Sequence, residues 1–167
     1  MISLLVAYTK NKRVIGAQGK IPWKLSSERN RFKQICRDKY VIMGRKSYEE
    51  IGKPLSYCTL VIVSRSLSHN MGSLSLSKGV QVCASLEDAI NYCKSQGQKE
   101  ILIAGGGSIY EQALPYADKI YATEIDADFE GDVFFPKIGP EWSSTVDEIH
   151  EENVISFKYL TLTKENI

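Results

Sequence analysis

The sequence predicts a single α/β domain with a doubly wound, mostly parallel sheet and helices on both of its faces. Three observations support this fold class. Apolar segments alternate with amphipathic segments along most of the chain, and the apolar segments are continuous rather than interleaved with polar residues. Continuous apolar strands are typical of a parallel sheet, because helices cover both of its faces. A chain of 167 residues with 43% hydrophobic residues fits one core of ordinary size.

Eight segments are predicted to form strands, and the last third of the chain differs from the rest. The final segment alternates between apolar and polar residues, so we expect it to run antiparallel and to pair with the segment before it. The predicted sheet of this domain, residues 1–167, is therefore eight-stranded and mostly parallel, with an antiparallel C-terminal strand. The eight segments are residues 2–8, 40–44, 59–63, 80–83, 100–104, 119–123, 132–136 and 153–163.

Helices are predicted at residues 25–36, 45–51, 86–95 and, after a run of glycines, up to Leu114. Two connections lack a helical pattern. Residues 64–78 are polar and rich in serine, which predicts a surface loop. Residues 9–24 form a long link with no predicted secondary structure, and such a link is more often a lid or a binding loop than a passive connector.

Composition argues against several classes of function. A formal net charge of +1 provides no basic field for nucleic acid. The first residues are apolar but lack the basic and long apolar segments of a signal peptide, and no membrane span is expected. The four cysteines have no C-x-x-C spacing and the two histidines lie far apart, so we expect no metal site and free thiols in a reducing cytoplasm.

Three consecutive glycines, Gly105, Gly106 and Gly107, follow an apolar strand and precede a helix. Glycine lets a ligand approach the backbone, and the N-terminus of a helix attracts anions, so this pattern is consistent with a phosphate cradle. The alternative is a tight strand-to-helix turn without a ligand, because the usual dinucleotide fingerprint is G-x-G-x-x-G near an N-terminal strand. Both interpretations need the same residues.

Glu28 places a carboxylate in the apolar stripe of the first predicted helix. Leu25, Glu28 and Phe32 share one face of that helix through their three- and four-residue spacing. A charge on an apolar face is costly, which favours a functional carboxylate. The alternative is a first-turn acid that only complements the helix dipole.

Cations and hydroxyl groups follow two of the predicted strands, at Arg45 and Ser47 and at Ser64 and Arg65. In a doubly wound sheet, ligands bind beyond the carboxyl ends of the strands. Guanidinium groups can bind phosphate oxygens in a bidentate manner, so the two strand ends predict a clamp for a phosphomonoester. The alternative is that both arginines are ordinary surface charges.

Several motifs occur in order along nearly the whole chain, and together they resemble the dihydrofolate reductase family in its bacterial chromosomal or mobile-element form. The motifs are Val14-Ile15-Gly16, Ile21-Pro22-Trp23 followed by Glu28 and Phe32, Val41-Ile42-Met43-Gly44-Arg45-Lys46-Ser47, Ile51-Gly52-Lys53-Pro54-Leu55, Ala104-Gly105-Gly106-Gly107 through Tyr110, Thr123, and Glu130-Gly131-Asp132-Val133-Phe134-Phe135-Pro136.

This resemblance implies reduction of 7,8-dihydrofolate to tetrahydrofolate, with NADPH as the cofactor, a hydride transferred to the pterin C6 and a proton to N5. Glu28 would be the single active-site carboxylate, anchoring the pterin amino group and N3 and promoting protonation of N5. Thr123 would support Glu28, and Trp23, with Ile21, would belong to a mobile lid. The resemblance also implies antifolate inhibitors as further ligands, a cytoplasmic location and a monomer.

The same resemblance assigns the remaining site residues to three groups. The substrate would be bound by Leu5, Val6, Ile21, Leu25, Phe32 and Leu55, with Lys33 and Lys53 at the edges of the pocket. The nicotinamide half of the cofactor would be bordered by Ala7, Ile15, Gly16 and Gly19. Its phosphate groups would be held by Gly44, Arg45, Lys46, Ser47, Ser64, Arg65, Gly105, Gly106, Gly107, Ser108, Ile109 and Tyr110.

Two positions depart from the bacterial pattern of the family. Glu28 stands where the chromosomal enzymes usually have aspartate, and the longer side chain is chemically sufficient. Cys58 stands where the family has an arginine that grips the α-carboxylate of the folate glutamate. Arg29 and Lys33, four residues apart on the helix that holds Glu28, and Lys53 are the available substitutes.

Two other functions are weighed against this one. The reductase domain of riboflavin synthesis shares the fold, but we expect it to lack the Pro-Trp lid and the carboxylate at Glu28. A pterin- or nucleotide-binding protein without turnover is a rival of a different class, and the cysteine at position 58 makes it conceivable. An absorbance assay at the NADPH band, with and without dihydrofolate, separates an enzyme from a binding protein.

Overall fold

The structure is a computed structural model, and it describes residues 1–65 and 80–165. The predicted surface loop at residues 64–78 therefore lies outside the described residues except for Ser64 and Arg65. Among the helices described, none is both long enough and apolar enough to cross a membrane.

The strands form one large sheet and one small sheet. The large sheet has eight strands in the order β5-β4-β3-β6-β1-β7-β10-β9, and the small sheet pairs β2 with β8. Within residues 1–65 and 80–165, the ten strands are β1 (Ile2–Thr9), β2 (Val14–Gly16), β3 (Tyr40–Gly44), β4 (Thr59–Val63), β5 (Val80–Cys83), β6 (Ile101–Ile103), β7 (Lys119–Asp126), β8 (Val133–Phe134), β9 (Trp142–Glu152) and β10 (Ile155–Lys164).

The predicted fold class is confirmed. The strands from β5 to β7 in the large sheet pair in parallel, whereas β10 pairs antiparallel with both β7 and β9. In the part of the chain that the structure describes, four helices connect the strands, close to the predicted positions. They are α1 (Ser26–Cys36), α2 (Arg45–Ile51), α3 (Leu86–Ser95) and α4 (Gly107–Ala113), and α4 continues into a 3-10 turn at Leu114–Tyr116.

Side-chain alternation along the strands divides the core into two main layers. In β1, Leu4 packs in the layer that α3 and α4 cover, whereas the adjacent Leu5 packs in the layer that α1 and α2 cover. Residues Ile42 and Met43 of β3 divide in the same way. The central strands are apolar on both faces because both faces are covered by helices.

The expected pairing of residues 132–136 with the last strand is wrong. Strand β8 pairs with β2, so that Val14 faces Phe134, and the link predicted to lack secondary structure contains a strand. The partner of β10 at the edge of the large sheet is β9, which the sequence did not predict. Nearly all of β9 is exposed, so its sequence lacks the apolar alternation by which a half-buried strand is recognised.

Candidate functional site

The glycines of two neighbouring strands meet at one edge of the sheet. Strands β3 and β6 are parallel neighbours, and the N–H of Gly44, the last residue of β3, donates to the carbonyl of Gly105, which follows β6, at 2.8 Å. Gly105 has a φ of +118°, a conformation that favours glycine. A Cβ atom built on Gly105 or Gly106 would lie 3.4 or 3.3 Å from the Ser47 hydroxyl. Glycine at these two positions therefore lets the turn after β6 pack closely against Ser47 of α2.

Gly107 begins α4 at a place where a side chain has no room. A Cβ atom on Gly107 would lie 2.6 Å from a methyl group of Val133 in the small sheet. Helix α4 is anchored to β1 by Tyr110, whose buried hydroxyl donates to the Leu5 carbonyl at 2.6 Å. Burial raises the pKa of Tyr110, so this phenol stays protonated as a donor. Of the neighbouring residues, Ile109 is buried and Ser108 is exposed.

A carboxylate and a hydroxyl group meet between α1 and the sheet. The hydroxyl of Thr123, a buried residue of β7, donates to Glu28 Oε1 at 2.5 Å. Burial is the main cause that raises the pKa of Glu28, and the negative charge of Glu152 acts in the same direction. The hydrogen bond from Thr123 and the positive charge of Arg31 lower it. Glu28 is thus a half-buried acid with a raised pKa, and carboxyl groups whose pKa is shifted by burial and by specific charges are candidates for functional sites.

Aromatic and aliphatic side chains pack on the α1 side of the sheet. Phe32 contacts Tyr57 edge to face, with ring centroids 6.5 Å apart. Leu55 and Phe32 pack against the core layer that contains Leu5. Val6, which was grouped with Leu5 in the sequence analysis, packs in the opposite layer with α3 and α4. The side chains of Leu5 and Val6 therefore lie on different faces of the sheet.

The predicted lid residues differ in their burial. Trp23 is only 6% exposed and packs in a cluster with Leu25, Ile125, Phe157 and Tyr159. Ile21 is 53% exposed, and its N–H donates to Glu50 of α2 at 3.1 Å. The link turns at Gly19, with a φ of +78°, through paired backbone hydrogen bonds between Ala17 and Lys20.

Of the residues predicted to border a nicotinamide, Ile15 lies near Gly107 and Gly16 lies near Val133, whereas Ala7 packs elsewhere. Ala7 is partly buried beside the Trp23 cluster, and Ile15 packs against the core layer of α3 and α4. Gly16 approaches Val133, since a Cβ atom there would be 3.5 Å from the Val133 Cβ.

The two predicted cationic strand ends are adjacent. Strands β3 and β4 are parallel and in register, with Gly44 opposite Val63, so the residues that follow them share one edge of the sheet. Arg45 is exposed and its Nε lies 2.7 Å from Glu49 Oε1 one turn along α2. Ser64 is buried and Arg65 is exposed. After Arg45, Lys46 is exposed and Ser47 is half-buried.

The candidate contacts for a substrate carboxylate lie on α1 and just after α2. Lys33 is exposed on α1, with its Nζ 5.7 Å from the centre of the Tyr57 ring, and Lys53 is exposed after α2. Cys58 is 9% exposed and packs in the same core layer as Cys36. Burial raises the pKa of the Cys58 thiol to about 11, so it stays neutral.

Two residues near Glu28 were missed by the sequence analysis. Glu152 accepts hydrogen bonds from the first residues of α1, although it lies at the end of β9, far away in the sequence. Arg31 places its guanidinium 4.0 Å from the centre of the Tyr159 ring, and its buried Nε has no hydrogen-bond partner among the described residues. The position of Arg31 one turn after Glu28 was an available local signal, whereas no local signal points to Glu152.

The chain resembles known proteins over its whole length. Residues 1–164 match the family model described as dihydrofolate reductase. A relative named dihydrofolate reductase from Haemophilus influenzae is 38% identical, covering 98% of each chain. One of the same name from Bacillus subtilis is 34% identical, covering 99% of this chain and 96% of its own. A dihydrofolate reductase type 3 from Salmonella typhimurium is 34% identical, covering 99% of both chains.

Replacement of Glu28 by glutamine is expected to stabilise the protein increasingly as the pH rises. The pKa of Glu28 is raised above its ordinary value of 4.5 in the folded protein, so the folded state holds more protons than the unfolded state between these two values. Its contribution to stability therefore falls as the pH rises from about 4.5 through the raised pKa. Urea unfolding of both proteins at a series of pH values measures the difference.

The exposed Glu111 of α4 offers a matched control, because Glu111→Gln removes the same charge without relieving burial. Its effect on the free energy of unfolding should vary little over the same pH interval. If Glu28→Gln instead destabilised the protein at every pH, Glu28 would be acting as a partner of the α1 dipole.

Proposed function

Because the chain belongs to the dihydrofolate reductase family, we propose that it reduces 7,8-dihydrofolate to 5,6,7,8-tetrahydrofolate with NADPH as its cofactor. The observation that carries this proposal is the half-buried carboxylate of Glu28, held by Thr123 between α1 and β7. The Glu28 carboxylate lies against the large sheet, and Gly44 and Gly105 form the glycine edge of that sheet. This arrangement suits a substrate and a cofactor that bind to one sheet.

The residues at the glycine edge fit a dinucleotide. Gly105, Gly106 and Gly107 carry no side chains. A Cβ atom at these positions would lie close to Ser47 or Val133. A pyrophosphate group can therefore approach the main chain. Arg45 and Arg65 follow adjacent parallel strands, and we assign them to the 2′-phosphate that distinguishes NADPH from NADH.

The chain's own residues have two tasks in this reaction, positioning and protonation. NADPH supplies the hydride that is transferred to the pterin C6. Glu28 binds the amino group and N3 of the pterin, which fixes the ring against the walls formed by Leu5 and Phe32. Its negative charge also favours the N5-protonated pterin, because hydride adds more readily to an iminium than to a neutral imine. Burial raises the pKa of Glu28, which makes this carboxyl group a better proton donor and acceptor for the reaction than an exposed glutamate.

Glu28→Gln tests the proposed role of the carboxylate in catalysis. Loss of general acid–base assistance typically costs about 10²–10⁴-fold in rate, so turnover at neutral pH should fall by that order and recover partly at lower pH. The measurement is the fall of absorbance at the NADPH band in the presence of dihydrofolate. Reactions that lack one of the two substrates serve as controls.

The same assay distinguishes the enzyme from a binding protein. Consumption of NADPH that depends on dihydrofolate supports the proposal. A wild-type chain that binds both ligands and consumes neither, at any pH, would instead be a pterin-binding protein without turnover. Wild-type turnover by Glu28→Gln at pH 8 would remove the carboxylate from the mechanism.

Arg45→Ala tests the choice of cofactor. Charge-assisted hydrogen bonds contribute about 1.5–3 kcal/mol, so the loss of one guanidinium should weaken NADPH binding by about ten- to a hundredfold and leave NADH binding nearly unchanged. Arg45 also pairs with Glu49, so the dissociation constants of both cofactors must be measured with each protein. The control is Arg37→Ala, which removes an exposed arginine that directly follows α1. Equal losses for both cofactors would contradict the assignment.

We assign the glutamate tail of the substrate to Lys33 rather than to position 58. Cys58 is buried in the core layer behind α1, whereas Lys33 is exposed beside the Tyr57 ring. An ammonium group neutralises a carboxylate without the fixed geometry of a guanidinium, so the contact should be weak and sensitive to salt. Arg29 and Lys53 are the neighbouring cations that would share this role.

Lys33→Ala is expected to raise the Michaelis constant for dihydrofolate by about threefold at low ionic strength, since an exposed ion pair contributes about 0.2–1 kcal/mol. A dihydropterin without the glutamate tail serves as the control, and its Michaelis constant should be unchanged. The difference should also shrink at high salt. A similar rise for both substrates would place Lys33 outside the tail contact.

A further inference from the structure

Helix α1 has no side-chain cap of its own. Its N-cap residue is Leu25, which has no hydrogen-bonding side chain, and the helix then begins with Ser26 and Ser27. The first backbone N–H groups of a helix have no acceptor within it, so they need one from elsewhere. Here the acceptor comes from the other end of the chain.

Glu152, the last residue of β9, provides that acceptor. One of its carboxylate oxygens accepts from the N–H and hydroxyl of Ser26 at 2.6 and 3.2 Å. The other oxygen accepts from the N–H and hydroxyl of Ser27 at 3.2 and 2.8 Å. These hydrogen bonds lower the pKa of Glu152, so the carboxylate stays charged at the positive end of the helix dipole.

The turn that presents Glu152 has a defined backbone geometry. Asn153 and Val154 connect β9 to β10, and both have positive φ angles, of 53° and 65°. This is the backbone of a tight two-residue hairpin, and a β-branched residue such as Val154 adopts it at a cost. The Asn153 side chain also donates to the Lys24 carbonyl at 3.4 Å, just before α1.

Strand β10 holds the next part of α1. The guanidinium of Arg31 lies over the ring of Tyr159, and the Tyr159 hydroxyl donates to the Ser27 carbonyl at 3.5 Å. Tyr159 is the register partner of Thr123 in β7, and Thr123 is the residue that hydrogen-bonds Glu28. The hairpin of β9 and β10 therefore contacts α1 immediately before Glu28 and one turn after it.

We propose that Glu152 is a positioning residue for Glu28, holding the first turn of α1 so that the Glu28 carboxylate stays against Thr123. Glu28 follows Ser27 directly, so a shift of the capped N–H groups moves its Cα as well. This proposal rests on the proposed function, because it takes Glu28 as the carboxylate that binds the pterin. Glu152 itself does not touch the substrate in this arrangement.

A double-mutant cycle tests the proposal, with wild type, Glu152→Gln, Glu28→Gln and the double variant compared by kcat/KM and by melting temperature. Glutamine keeps the length of Glu152 but loses the charge and one acceptor. Small displacements of reacting groups are costly, so Glu152→Gln is expected to lower kcat/KM roughly tenfold. The loss of a helix cap should lower the melting temperature by about 2–4 °C.

The decisive comparison is made in the Glu28→Gln background. If Glu152 acts through Glu28, Glu152→Gln should not change kcat/KM in the Glu28→Gln background. It should still lower the melting temperature there. The matched control is Glu151→Gln, which removes the same charge from the exposed preceding residue of β9 and should leave both quantities unchanged.

Three results would overturn the proposal. If Glu152→Gln lowered kcat/KM by the same factor in both backgrounds, its role would be one of general stability, and the proposed function would stand. Wild-type kcat/KM in Glu152→Gln would likewise overturn the positioning role alone. If Glu28→Gln itself kept wild-type activity, both the catalytic role of Glu28 and the positioning role of Glu152 would fail.

Discussion

The hydrogen bond from Thr123 to Glu28 joins the helix that begins after the long link to the central region of the sheet. A half-buried carboxylate loses hydration, and without a donor it would be displaced towards solvent or neutralised. Thr123 supplies the donor from β7. The site therefore depends on α1 lying at one particular place on the sheet, and much of the surrounding structure fixes that place.

Charges of both signs border Glu28. Arg31 lies one turn further along α1 and lowers the pKa of Glu28, whereas Glu152 lies before the first turn and raises it. Burial contributes more to the shift than either charge does. Because the two charges act in opposite directions, the pKa of Glu28 stays raised. Such an acid is costly for the folded state, and active sites commonly retain groups of this kind.

The parallel part of the sheet and its antiparallel end have different tasks. Parallel pairing of β3, β6 and β4 brings Gly44, Gly105 and the residues after Val63 to one edge, which is where we propose that the cofactor binds. The antiparallel strands β9 and β10 add no glycines to this edge. Instead, they extend past β7 and contact the start of α1, through Glu152 and Tyr159.

Local patterns in the sequence determined the class of the fold, the positions of the helices and the strands that are buried on both faces. Apolar periodicity and glycine positions are properties of neighbouring residues, so α3 was predicted at its exact bounds and the Gly105 turn at its place. Only the tertiary structure decided the pairing of β8 with β2, the presence of β9 and the cap that Glu152 provides. The β2–β8 pairing and the Glu152 cap join residues that lie far apart in the chain, so neighbouring residues do not predict them. Strand β9 is exposed, so it lacks the apolar pattern that would predict a strand.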